Sequence, residues 1–230
     1  MKLLLVGYGK MGRLVEEMAV ARQHDVVGRI DVGSEAWAAA DVAIDFSTAD
    51  ALAANFPKYL ERRLPVVIGT TGWSEHRDAY RAQASAAGLG VVAAANFSIG
   101  VNLFEMIVAE AARLMERQPQ YGAWIHEAHH AAKRDAPSGT ALLLRDAMTG
   151  AGFRRGIDIS ATRAGMIPGI HTIGFDSASD TIELTHTARD RRGFASGAIV
   201  AAEWLQGRTG WFSMADVLGN REPGIVNGES

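Results

Sequence analysis

Short, uniformly apolar runs alternate with segments of helical period along the first hundred residues. The runs are 2–6 (KLLLV), 25–30 (DVVGRI), 42–46 (VAIDF), 65–69 (PVVIG) and 91–94 (VVAA). Such runs predict strands buried on both faces. Residues 11–23 (MGRLVEEMAVARQ) and 74–87 carry apolar positions at helical spacing, and Ser47-Thr48 offers a cap to a helix starting near Ala49. This alternation predicts an α/β domain with a doubly wound parallel sheet, helices on both faces and right-handed crossovers.

The rhythm changes after Asn96. Residues 101–117 predict a long amphipathic helix with Leu103, Ile107, Glu110, Ala111 and Leu114 on or near one face. Residues 121–128 read as a strand, and 138–148 as a helix entered through Pro137-Ser138-Gly139-Thr140. Strand-like stretches follow near 158–165 and 180–187, joined by a glycine-bearing segment, and a last helix covers 195–205. Strands and helices without regular alternation predict a second, α+β domain, with a boundary and hinge near residues 96–100. Residues 221–230 (REPGIVNGES) show no periodicity and predict a frayed tail.

Composition narrows the class. The 230 residues suffice for one large domain or two small ones, and 48% apolar with 21% charged is ordinary for a soluble globular protein. Disordered, collagenous and coiled-coil architectures are excluded. With 23 basic and 26 acidic residues the net charge is −3, which argues against nucleic acid or an anionic membrane as partner. The chain has no cysteine, so disulfides, thiolate nucleophiles and Cys-ligated metals are excluded, and a reducing cytoplasm is compatible. No apolar run reaches the roughly 18 residues of a membrane span. The N-terminal MKLLLVGYGKMG enters glycines too soon for a signal peptide and reads as the first strand.

Gly7-Tyr8-Gly9-Lys10-Met11-Gly12 fits G-x-G-x-x-G. The first glycine permits the turn, the second admits a pyrophosphate to the backbone, and the third lets helix and strand pack closely. Here the pattern follows a strand, opens a helix, and is followed about 20 residues on by an acid, Asp31, at the end of the second strand. That context predicts a Rossmann-like dinucleotide site. Asp31 can accept from a ribose 2′-OH and would repel a 2′-phosphate. The next residue is Val32 rather than a base, while Arg29 stands close by. NADH is therefore the favoured cofactor, with NADPH tolerated.

Residues 126–130 read His-Glu-Ala-His-His, a formal match to H-E-x-x-H. That zinc motif needs a helix, whereas YGAWI before it is β-rich; on a strand, His126 and His130 would stand about 13 Å apart. No metal is expected. The longer segment, from Glu127 to Thr140, sets His129, His130 and Lys133 close together and then opens a helix at Ser138-Gly139-Thr140. Imidazole and ammonium can move protons or hold anions, and the helix start offers free N–H groups with the Thr140 hydroxyl. Such a segment suits a small anionic substrate that takes up a proton while it receives a hydride.

Four stretches together resemble the dihydrodipicolinate reductase family over about residues 1–220. They are Glu127-Ala-His-His-x-x-Lys-x-Asp-Ala-Pro-Ser-Gly-Thr-Ala141, Gly69-Thr70-Thr71-Gly72, Ala95-Asn96-Phe97-Ser98-x-Gly100-Val101-Asn102, and Phe194-Ala195-x-Gly197-Ala198. The resemblance implies NAD(P)H-dependent reduction of 4-hydroxy-tetrahydrodipicolinate to tetrahydrodipicolinate, in diaminopimelate and lysine biosynthesis. It implies His129 as proton donor/acceptor and Lys133 as proton donor. His130, Lys133, Ser138, Gly139 and Thr140 would bind the dicarboxylate. Gly7, Tyr8, Gly9, Lys10, Met11, Gly12 and Asp31 would hold the dinucleotide. Gly69, Thr70, Thr71, Ala94, Ala95, Asn96 and Phe97 would line the nicotinamide side. It further implies a cytoplasmic homotetramer joined through the sheets of the second domain. The return of the C-terminal stretch gives a nucleotide domain of 1–98 with 206–220, and a substrate and oligomerisation domain of 99–205. Val32 replaces the family's usual base and weakens the case for NADPH. Two other readings fit the same residues: a reductase of another cyclic imine or oxo acid, and a non-catalytic NAD-binding sensor.

Overall fold

The structure is a computed structural model that describes residues 1–33 and 36–219, so the expected tail at 221–230 lies outside the described residues. In chain order it runs β1 (Lys2–Val6), α1 (Lys10–Ala21), β2 (Asp25–Ile30), β3 (Val42–Asp45), α2 (Ala49–Arg62), β4 (Val66–Ile68), a 3₁₀ turn (Ser74–His76) leading into α3 (Arg77–Ala87), and β5 (Gly90–Ala93). There follow α4 (Ile99–Glu116), β6 (Gly122–His129), α5 (Gly139–Gly150), β7 (Ile157–Arg163), β8 (Ile170–Asp176) and β9 (Thr181–Thr187), then α6 (Arg192–Leu205), β10 (Gly210–Phe212) and α7 (Met214–Val217). The chain divides into two compact units, Met1–Ile99 with Arg191–Ser230, and Gly100–Asp190.

In the first unit, six strands pair in parallel in the order β10-β5-β4-β3-β1-β2. The inner strands are the apolar runs of the sequence, and β3, β4 and β5 are buried at every position. Alternate residues feed two cores. Leu4, Val6, Ala43, Val66, Ile68 and Val91 pack with Leu52, Phe56 and Tyr59 of α2 and Ala84 of α3. Leu3, Leu5, Ile44, Val67 and Val92 pack with Val15 and Ala19 of α1 and with α6. The α2 helix starts where Ser47-Thr48 predicts: Thr48 accepts from the Ala51 N–H at 3.2 Å.

The position of α6 corrects the expected boundary at 205. Ala195, Ala198, Ile199, Ala201, Ala202 and Leu205 are all buried in the first unit's core. Without α6, only α1 and the short α7 would cover that face of a six-stranded sheet. Close approach is built in: a Cβ on Gly197 would lie 1.7 Å from the Phe97 carbonyl oxygen.

In the second unit four strands pair in the order β7-β6-β8-β9, with β6–β7 parallel and the other pairs antiparallel. Phe104, Val108 and Ala112 of α4, Leu144 and Met148 of α5, and Ile125, Ile173 and Phe175 of the sheet form its core. One expectation changes here. The glycine-bearing connector is the inner strand β8. Helix α4 buries Val101, Phe104, Val108 and Ala112, and leaves Leu103, Ile107 and Leu114 41–55% exposed. Among the described residues no helix is long and apolar enough to cross a membrane.

Candidate active site

The residues expected to hold a dinucleotide gather at the carboxyl ends of the first unit's strands. β2 lies on one side of β1 and β3 to β5 on the other, so β1 and β3 flank the switch point at which open α/β sheets bind ligands. The Gly7–Gly12 turn leaves β1 there. Gly7 has φ +82°, and a Cβ on it would sit 2.4 Å from the Phe46 carbonyl oxygen; one on Gly12 would sit 2.3 Å from that of Gly7. Both positions therefore require glycine. Gly9 differs, since its Cβ would meet no atom within 4 Å, and it caps α1 without a side chain. The backbone here is open to a phosphate, with the first-turn N–H groups of α1 as donors. Lys10 is exposed, while Tyr8 and Met11 lean on the core. Asp31 is exposed one residue past β2, and its Oδ1 accepts from the Val32 N–H at 2.9 Å.

The neighbouring strand ends hang on one fully buried carboxylate. Asp45, last in β3, accepts from Tyr59 Oη at 2.7 Å, from Ser47 Oγ at 2.6 Å and N–H at 2.9 Å, and from Thr70 Oγ1 at 2.9 Å. Burial, reinforced by the Asp45 charge and hydrogen bond, pushes the Tyr59 pKa up, so its phenol remains a donor. The Thr70 hydroxyl is thus committed, and Phe97 is 1% exposed, edge-on to Phe46 at 6.1 Å. The side chains of Thr70 and Phe97, expected beside the nicotinamide, instead support their loops from the core. Gly69 makes room by lacking a Cβ, which would lie 2.1 Å from the Phe46 ring. Thr71 and Ala95 are exposed, and Ala94 and Asn96 half-buried.

The second unit carries a buried cluster of ionisable side chains. The alternation of β6 sets Glu127 and His129 on one face. His126 faces the other way, 2.9 Å from Ser160 Oγ and 3.4 Å from Thr162 Oγ1. With the segment in a strand, H-E-x-x-H helix geometry is not formed. Glu127 has no exposed surface and accepts from four groups: Arg163 Nη1 (2.9 Å) and Nη2 (2.6 Å), His129 Nδ1 (2.5 Å) and the Ser138 N–H (3.1 Å). Burial raises its pKa, but the bonds from Arg163, then His129 and Ser138, outweigh it and hold it below its ordinary value. Sheet register explains the grouping: His129 pairs with Arg163 across β6–β7, and Glu127 with His171 across β6–β8. The His171 ring lies edge-on to His129 at 5.1 Å, with Nε2 3.1 Å from Ser138 Oγ. Burial, then the charge of His129, pushes the His171 pKa down to about 4, so it is neutral near pH 7.

With Nδ1 turned to Glu127, Nε2 is the ring nitrogen through which His129 could exchange a proton with a ligand. Nε2 lies 3.3 Å from where a Cβ on Gly169 would stand, so a side chain there would press on the ring, and the φ of +146° itself favours glycine. Ligand atoms of Glu127, His129 and His171 lie within 4.8 Å of one another. A cation there would face the Arg163 guanidinium, which already fills both Glu127 oxygens, so the group is built for protons rather than a metal.

The loop after β6 carries cations and a helix start. Lys133 Nζ lies 2.7 and 2.8 Å from the Asp135 carboxylate oxygens, and that carboxylate also accepts from the Gly139 N–H. Lys133 above all holds Asp135 below its ordinary pKa. The ammonium and the start of α5 thus already grip one carboxylate, supplied by the chain itself. His130 and Thr140 are half-buried beside this group in sequence. Ser138 differs from expectation: it is 2% exposed and caps α5 by accepting from the Ala141 N–H at 3.2 Å, so it braces the loop from within. Sequence reasoning assigned no part to Glu127, Arg163 or His171. For Glu127 a signal existed, because two residues before His129 on a strand is the same face.

Comparison with known proteins agrees with this layout. Residues 1–97 match the family model of the dihydrodipicolinate reductase N-terminus, and residues 100–218 that of its C-terminus. The 4-hydroxy-tetrahydrodipicolinate reductase of Christiangramia forsetii is 39% identical, covering 95% of this chain and 98% of its own. The protein of the same name from Myxococcus xanthus is 40% identical over 79% of this chain and 73% of its own. A solved dipicolinate-bound dihydrodipicolinate reductase from Paenisporosarcina sp. TG-14 shares the fold, with a TM-score of 0.79 at 20% identity over 94% of this chain and 98% of that one. By both halves of its sequence, this chain belongs to the dihydrodipicolinate reductase family.

Proposed function

We propose that this protein reduces 4-hydroxy-tetrahydrodipicolinate to tetrahydrodipicolinate with NAD(P)H, NADH being preferred. The observation that carries the reading is the Glu127–His129 pair on the strand that leads directly into the Lys133 and Gly139 anion group. The 4-hydroxyl leaves as water to give a conjugated imine, and the nicotinamide, when bound, would supply a hydride to its C4 carbon; the protein must hold a twofold anion and supply a proton. Lys133, His130 and the N–H groups of Gly139 and Thr140 neutralise the carboxylates. His129, oriented through Nδ1 by Glu127, delivers the proton from Nε2, and Lys133 offsets the electron density that arrives with the hydride. In the first unit, the Gly7–Gly12 turn receives the pyrophosphate, Asp31 the ribose, and Gly69, Thr71 and Ala94–Asn96 the nicotinamide side. The second unit is the substrate and oligomerisation domain of a homotetramer.

The test is an absorbance assay at the nicotinamide band with enzymatically generated substrate and each cofactor. His129→Gln is expected to lower kcat by about 10²–10⁴-fold, with a smaller effect on NADH binding. Lys133→Ala is expected to raise KM for the dicarboxylate and lower kcat. Unchanged turnover in His129→Gln removes it from the mechanism, and no NADH oxidation by the wild type refutes the activity.

A further inference from the structure

Beside the glycine turn stands a charge cluster that the reaction itself does not use. Tyr8, inside the turn, donates its hydroxyl to Glu16 of α1. The same carboxylate takes Arg29 of β2 in a bidentate pair, through Nη2 and through Nε at 2.9 Å. The Arg29 guanidinium lies over the Tyr8 ring, 5.6 Å from Cζ to the centroid, and Arg13 lies against the same ring at 5.7 Å. Glu16 therefore fixes Arg29 in two ways: it fills one side of the guanidinium fork, and it cancels the charge.

The location gives this pair its meaning. Arg29 is two residues before Asp31, so continuing the alternation of β2 would send the two side chains to the same side, and both residues are exposed. Asp31 is the residue placed to accept from a ribose 2′-OH. NADPH carries a 2′-phosphate instead, which a carboxylate repels and an arginine fork grips bidentately. The chain thus holds an arginine next to the position that distinguishes the two cofactors. It also holds, one helix away, a carboxylate that occupies that arginine.

We propose that Glu16, acting through Arg29, sets the nucleotide preference: by engaging the Arg29 fork it makes the ribose position beside Asp31 select NADH over NADPH. A 2′-phosphate arriving there meets a neutral pair and the Asp31 charge. With Glu16 made neutral, the same phosphate meets a free guanidinium. Glu16 is a specificity-determining, positioning residue, and the proposal rests on the reading that the Gly7–Gly12 turn and Asp31 hold the dinucleotide.

The experiment compares kcat/KM for NADPH and NADH in the wild type, Glu16→Gln, Glu16→Gln/Arg29→Gln and Asp31→Ala. Glutamine keeps the size and an acceptor oxygen for Tyr8. In Glu16→Gln the NADPH/NADH ratio is expected to rise about tenfold, the scale of one freed charge-assisted contact. Adding Arg29→Gln should return the ratio to the wild-type level, because the gain passes through that side chain. A pair that merely ties α1 to β2 would lower the thermal midpoint and leave the ratio alone. A ratio that moves in Asp31→Ala but not in Glu16→Gln overturns this proposal and leaves the reading of the turn intact. A ratio that moves in neither removes both. A gain that survives loss of Arg29 overturns the proposal as well.

Discussion

Glu127→Gln separates what the buried carboxylate does for the fold from what it does for His129. Glutamine has nearly the same shape but one acceptor oxygen and an NH₂ in place of two acceptor oxygens. Four donors converge on Glu127, from Arg163, His129 and Ser138. In the variant, some of them face an N–H. The Arg163 guanidinium, with 17% of its side chain exposed, loses its counter-charge. Breaking a buried ion pair from one side costs about 3–5 kcal/mol, and the residual exposure of Arg163 places this case near 3 kcal/mol. The urea midpoint should fall accordingly. Removing both charges, in Glu127→Gln/Arg163→Gln, should recover much of that loss, because no unpaired charge remains. Catalysis should not recover: in both variants His129 Nδ1–H lacks an anionic partner, and kcat should stay down by about 10²-fold. A double variant that regains both stability and turnover would show that Glu127 serves the fold alone. A single variant as stable as the wild type would refute the coupling.

The remaining predictions concern charge. His171 has a lowered pKa of about 4, so it is neutral in the folded state while the unfolded chain takes up a proton below the ordinary histidine value of 6.5. Its contribution to stability is present above about pH 6.5 and is lost as pH falls towards 4. That loss is about 2 kcal/mol between about pH 7 and pH 4.5; His171→Gln should lack this share in urea unfolding at the two pH values, and parallel losses in the two proteins refute the assignment. Asp135 holds Lys133 and the Gly139 N–H as a substrate carboxylate would. Asp135→Ala should therefore lower KM for the dicarboxylate several-fold; a raised KM means that the carboxylate organises the loop instead.

Much of the first unit is legible because its inner strands are buried on both faces and read as unbroken apolar runs, with the glycine turn between strand and helix. The second unit hides more. Strand β8 carries Gly174 in its middle, which reads as a connector. The glycine is there because the Trp124 ring lies across the backbone, a contact made from a strand some 50 residues away in sequence. Helix α4 has apolar residues on two sides, so its period alone does not say whether Leu103 and Ile107 or Phe104 and Val108 go inward. Alanine-rich α6 carries no sign of which sheet it covers. In the site, His129 and Lys133 stand in one motif. Arg163 comes 36 residues after Glu127, and His171 33 after Ser138, brought in only by strand register.

Both units solve one problem the same way. A loop that must hold a ligand has to be polar and open, and so cannot be fixed by apolar packing. Each unit instead buries one carboxylate completely, Asp45 at the end of β3 and Glu127 near the end of β6, and aims the donors of the adjoining loops at it. A buried acid without solvent is tolerable only while those donors stay in place, so every loop movement that withdraws one is opposed by the cost of an unsatisfied buried acceptor. Asp45 in this way fixes Thr70 and the start of the 69–72 turn. Glu127 fixes His129, Ser138 and, through Arg163 Nη2 on the Asp135 carbonyl at 2.6 Å, the loop that carries Lys133. The acids that order the reactive groups are thus deeper than the groups themselves. Substitutions at Asp45 and Glu127 should consequently disturb binding and turnover without either residue touching a ligand.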